Sequence, residues 1–151
     1  MNTNYEKDFV PYEQALALKE LGFNEESFGK FYTKPKSKMF GIDEKGRHYP
    51  IKNTYKKLYT LGESFVLNDD NVISAPLYQQ VFRWFREKYN IDAWVQPFVS
   101  EKHGKPFLPD ESYAYYIFED GVYVADGVNF LDSEEAELAC LKKLIEITKN
   151  K

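Results

Sequence analysis

The sequence predicts an α+β domain: an antiparallel sheet with helices packed mainly on one face, its C-terminal half in α-β-β-β-α order. Three observations carry this. Three stretches repeat apolar residues at helical spacing and have recognisable ends. Between the second and third, Asp120-Gly121 joins two apolar, aromatic runs of strand character, a two-residue hairpin signal. Neither an internal repeat nor a low-complexity linker divides the 151 residues, so residues 1–151 form one domain long enough for a real core.

The first helix is expected over Pro11 to Leu21. Pro11 suits the first helical position, where a missing N–H costs nothing. Gly22 is placed to end the helix in a left-handed residue, with Phe23 folding back on Leu18. Ala15, Leu16, Leu18 and Leu21 give its buried side. A strand follows at Phe28 to Thr33. The stretch Lys34 to Thr60 is harder to divide; it suggests a hairpin about Glu44-Lys45-Gly46 and a short element at Tyr55 to Leu61, with a further strand at Ser64 to Leu67.

The second helix is expected from about Ala75 to Tyr89, with Ser74 as N-cap and Pro76 in the first turn. Leu77, Tyr78, Val81, Phe82, Trp84, Phe85 and Tyr89 cover most of its circumference, which predicts a central helix packed on more than one side. Ala93 to Val99 reads as a strand held to an edge or a bulge by Pro97. Tyr113 to Phe118 and Val122 to Ala125 are the arms of the Asp120-Gly121 hairpin, and both faces carry enough apolar groups to ask for cover. The last helix runs from about Ser133 to Lys149. Asp132 and Glu135 have capping-box spacing, acids gather at its start, and Lys142, Lys143 and Lys149 lie toward its end.

Composition excludes several classes. One cysteine, Cys140, precludes an internal disulfide. No apolar run approaches the roughly 20 residues of a membrane helix, and Met1 to Asp8 lacks the basic start and apolar stretch of a leader. A cytoplasmic protein without a membrane partner is expected. His48 and His103 have no neighbour at ligand spacing, so no metal site is expected. Cys140, between Ala139 and Leu141, reads as a core residue and not a nucleophile. Acid pairs such as Asp69-Asp70, Asp110-Glu111 and Glu119-Asp120 fall in turns and loops. No phosphate loop, nucleophile elbow or zinc-protease motif is present, so neither a cofactor nor catalysis is expected. The α-β-β-β-α order matches that of double-stranded-RNA-binding domains. However, Asp132, Glu134, Glu135 and Glu137 open the last helix where phosphate contact needs cations, which disfavours duplex nucleic acid.

Two features suggest binding. Charge is uneven: from Lys30 to Gly62 nine lysines and arginines face two acids, inside a chain of net charge −4. Aromatic residues make up 17% of the chain, and they gather in the hairpin. There Tyr113, Tyr115 and Ile117 share one face, and Ala114, Tyr116 and Phe118 the other. An aromatic core with tyrosines at its rim is the plain reading. The functional reading is a stacking platform of Tyr113, Tyr115, Tyr116 and Tyr123, with Lys34, Lys36, Lys38 and Arg47 meeting the phosphates of a small anionic nucleotide. A host protein held by exposed Trp and Tyr side chains is the alternative partner, a small enzyme is a third reading, and self-association is left open.

Three stretches, FVPYEQALALKELGF from Phe9, SAPLYQQVFRWFREKY from Ser74 and EEAELACLKKLIEI from Glu134, together resemble a family of small proteins of tailed phages and of mobile elements of Bacteroidetes-type bacteria. The resemblance covers the three helices and reaches no part of Lys34 to Asn71. It implies a phage-type accessory protein made inside a host cell; the tyrosine-rich hairpin and the basic stretch add the expectation that it acts by binding, with capture of a nucleotide immune signal as one form. The resemblance implies no functional residue.

Overall fold

A computed structural model describes residues 4–33, 40–42, 44–50, 58–60, 71–98 and 112–151. After a 3-10 turn (Asn4–Asp8) the described elements run α1 (Tyr12–Glu20), β1 (Gly29–Tyr32), β2 (Phe40–Ile42), β3 (His48–Pro50), β4 (Leu58–Thr60), β5 (Val72–Ala75), α2 (Tyr78–Tyr89), β6 (Ile91–Pro97), β7 (Tyr113–Glu119), β8 (Val122–Phe130) and α3 (Ser133–Lys149). The fold is α+β with antiparallel sheets. Strands β4-β1-β5 form one sheet, β2 and β3 a hairpin, and β6-β7-β8 a second three-stranded sheet. The C-terminal half keeps the α-β-β-β-α order.

Helix α1 closes as its sequence predicts. Gly22 takes φ +89°, so the Phe23 N–H reaches the Leu18 carbonyl at 2.9 Å and the Gly22 N–H reaches that of Lys19 at 2.9 Å. This pair of reversed bonds is a Schellman closure, and it buries Phe23 beside Trp84. Pro11 precedes the helix in extended backbone as its N-cap.

Helix α2 starts three residues later than its apolar pattern suggests. Val72–Ala75 is instead strand β5, paired along β1 with Ile73 and Ala75 buried. Ser74 is therefore not a cap; its hydroxyl donates to the Glu25 carbonyl at 2.9 Å. Pro76 has no N–H to extend the ladder, and its own carbonyl accepts from Val10 at 2.8 Å. Leu77 then opens the helix without a side-chain cap. The central role of α2 holds: Val81, Phe82, Trp84 and Phe85 are all buried, and the helix packs on β6 and on α3.

The β2–β3 and β4 pairings agree with the hairpin about Gly46 and the short element near Tyr59. The strand expected at Ser64 to Leu67 lies outside the described residues, as does the loop through Gly104. Strand β1 starts one residue after Phe28, which is 61% exposed. Strand β6 begins at Ile91 and ends at Pro97, on an edge of its sheet as that proline requires.

The hairpin turn places Asp120 at φ 51° and Gly121 at φ 77°, the two positive angles a type I′ turn needs. Helix α3 lies across β6, β7 and β8. Its Asp132 side chain accepts from the Glu135 N–H at 2.7 Å, and Glu135 reaches back to the Leu131 N–H at 2.9 Å. The return bond thus lands one residue before the position an ideal capping box uses. One core joins all three helices to the inner faces of β1, β5, β6 and β7. Among the described residues no helix is long and apolar enough to cross a membrane.

Candidate binding surface

The pleat of β6-β7-β8 sorts its side chains into two sets. On the helix side, Ile91, Ala93, Tyr115 and Ile117 are buried against Cys140, Leu141, Leu144 and Ile145 of α3. On the far side, Trp94 stands directly across from Tyr116, and Tyr116 across from Asp126. Phe118 faces Asp92 on β6 and Tyr123 on β8.

These far-side rings touch. The Trp94 and Phe118 rings stack at 5.1 Å and 10°, Trp94 and Tyr116 tilt together at 6.1 Å, and Tyr123 meets Phe118 edge-on at 5.8 Å. Cross-strand aromatic pairs of this kind stabilise a sheet from one side. Among the described residues no helix covers them, and Tyr116 and Phe118 are half-buried, in keeping with the expectation of at least partial cover on both faces. Trp94 remains 41% and Tyr123 52% exposed, with Val124 and Val128 beside them at 42% and 39%.

A β-bulge helps build this face. Ile117 pairs with Ala125, but Phe118 pairs with Tyr123, so Val124 is an extra residue in β8. Two residues opposite one tilt β8 locally and turn Tyr123 toward Phe118. The Tyr123 hydroxyl is held above its usual pKa by partial desolvation and by its hydrogen bond to Asp126.

The four sequence-predicted tyrosines are therefore divided. Tyr116 and Tyr123 belong to the open face. Tyr115 does not: it is 8% exposed, its phenol is pushed up chiefly by burial, and its ring rests on Phe130 at 5.8 Å. Tyr113 shares the parity of Tyr115 and is half-buried at the start of β7. Alternation makes a four-tyrosine platform impossible on a flat three-stranded sheet. Of the cations, Arg47 is exposed in the β2–β3 connection, while Lys34, Lys36 and Lys38 lie outside the described residues.

Trp94 and Phe118 complete the face and were not among the expected site residues. The signal was present in their parity: pairing β6 to β7 about Ala93 and Ile117 sets Trp94 beside Tyr116. Among the described residues, the charges in register with the rings are acidic or paired. Asp92 accepts from Arg86 at 2.5 Å, and Asp126 lies in line with Trp94 and Tyr116.

Other chemistry-bearing groups lead elsewhere. The Cys140 thiol is fully buried and its pKa is pushed up to about 12, first by burial and then by Glu137. Among the described residues no cluster of three or more His, Cys, Asp or Glu is placed to hold a metal. Two clefts of about 330 and 340 Å³ lie beside Phe23 and Ile73, and beside Phe9 and Phe31; neither is lined by a ring of the open face. No protein-family model, curated protein or solved structure matches the chain.

Proposed function

We propose that this chain is a non-catalytic binding module whose ligand is another protein, docked on the far face of β6-β7-β8. The observation that carries the reading is the cluster Trp94, Tyr116, Phe118 and Tyr123, joined by cross-strand ring contacts, with Trp94 and Tyr123 exposed and Tyr116 and Phe118 half-buried. Rigid aromatic groups lose little conformational freedom on binding and dominate protein interfaces, and exposed apolar patches of this kind mark interaction sites. In the setting that the sequence resemblance implies, a phage or mobile-element accessory protein in host cytoplasm, the partner is a host protein that the module blocks or adapts.

The exposed indole of Trp94 also favours a second reading, capture of a nucleotide immune signal by stacking. The neighbouring charges weigh against it. A phosphate beside these rings would meet Asp126, and Arg86 is held by Asp92. The face is also a sheet surface, and neither described cleft opens onto it.

The test is a pair of binding experiments with wild type and Trp94→Ser. A protein captured from host lysate, purified and titrated by calorimetry, is expected to lose more than about tenfold in affinity for the variant, the scale of an interface anchor. Calorimetry against cyclic and ADP-ribose-type nucleotides is expected to give no heat. Saturable nucleotide binding, or a partner bound equally by Trp94→Ser, contradicts the reading.

A further inference from the structure

We propose that the partner adds an extended strand along the free edge of β8, with a lysine or arginine opposite Asp126 and aliphatic residues two positions to either side. This rests on the reading of the far face as the docking surface and specifies how that face is engaged.

Strand β8 is outermost in the order β6-β7-β8, and among the described residues its backbone pairs on one side alone, with β7. A nine-residue edge is a ready template for another strand. Its two irregularities define where such a strand would fit. One is the bulge at Val124. The other lies between Tyr113 and Tyr115, where two residues of β8, Val128 and Asn129 (the latter at φ 67°), stand opposite Ala114 alone. Between them Ala125, Asp126 and Gly127 pair in regular register with Ile117, Tyr116 and Tyr115. The regular stretch is centred on Asp126.

Bulges and a charge also serve to guard an edge against unwanted pairing. A guarded edge, however, has no need of apolar neighbours. Here Val124 and Val128 flank Asp126 at alternate positions and remain exposed on the ring-bearing face. The same centre tells against a second copy as the occupant. Fullest antiparallel overlap of Val122–Phe130 with itself sets Asp126 against its own counterpart, a like-charge pair. A cation in that place instead extends the cross-sheet row Trp94, Tyr116, Asp126 by an attractive pair. Flanking aliphatics would lie against Val124 and Val128.

The probe is a blocked peptide, acetyl-Thr-Val-Thr-Lys-Thr-Val-Thr-amide, alongside the same peptide with Glu in place of Lys. Amide resonances of the 15N-labelled protein report binding up to about 1 mM. The Lys peptide is expected to shift the β8 amides and the Trp94 indole, and to bind about fivefold more tightly than the Glu peptide. Asp126→Lys is expected to reverse that order, and the near-isosteric Asp126→Asn to bring the two affinities together. Equal affinities, an order unchanged by both Asp126 variants, shifts that leave β8 untouched, or no binding of either peptide each overturn the inference. None of those results touches the face reading, which stands or falls with the Trp94→Ser titration of the captured protein.

Discussion

Gly127 and Tyr115 make one unit. A Cβ on Gly127 would sit 2.3 Å from the Tyr115 ring, so the ring lies over the glycine and is buried there. Gly127→Ala is expected to destabilise the fold by about 2 kcal/mol, the cost of overpacking. That cost should largely vanish in a Tyr115→Ala background, as a double-mutant cycle by urea unfolding would show. This pairing was not legible beforehand. Alternation separates Tyr115 from Tyr116, but the bulge at Val124 shifts which β8 residue each one meets. Cys140 was legible from its neighbours. Its folded pKa of about 12 lies above the ordinary 9.0, so the folded chain keeps a proton that the unfolded chain gives up. Its contribution to stability is complete below pH 9.0 and is lost as pH rises toward about 12. A thiol reagent at pH 8 is expected to leave the native protein unlabelled and to label it fully in denaturant. Glu137 follows the same sign from a lower start: burial, then Glu134 and Asp8, raise it above 4.5. Its folded form favours the proton, so its contribution falls as pH rises through that range. Glu137→Gln is expected to raise the midpoint of thermal unfolding at pH 7 and to narrow the gap from wild type at pH 4.

At the scale of the element, ends that rest on local chemistry were readable and ends that rest on partners were not. The last helix starts at Ser133 because Asp132 accepts the Glu135 N–H. Asp132→Ala is expected to cost about 1 kcal/mol by denaturant unfolding. The Gly22 closure and the Asp120-Gly121 turn are local in the same way, since each depends on residues that reach positive φ cheaply. Helix α2 differs. Ser74 and Pro76 have the residue types of a helix start, yet Val72–Ala75 pairs with β1, and that long-range ladder takes Ser74 into a strand. A cap preference of about 1 kcal/mol does not outweigh a ladder whose residues Ile73 and Ala75 are fully packed.

Across the described residues, the helices gather on one side of β6-β7-β8, and the other side carries the exposed Trp94 and Tyr123. The sequence carried the fold class and the aromatic hairpin. It did not reveal which face of the hairpin would be open, because both faces hold rings and the choice is made by where α3 lands. The same packing accounts for the two tryptophans: Trp84 is 6% exposed inside the core, and Trp94 is 41% exposed on the far face. Hydroxyl-radical footprinting with and without the captured protein therefore tests the central claim most directly. In the free chain Trp94 and Tyr123 should be oxidised readily while Trp84 stays unmodified; in the complex Trp94 and Tyr123 should be protected. Oxidation of Trp94 at the same rate in the free and bound states would contradict the account.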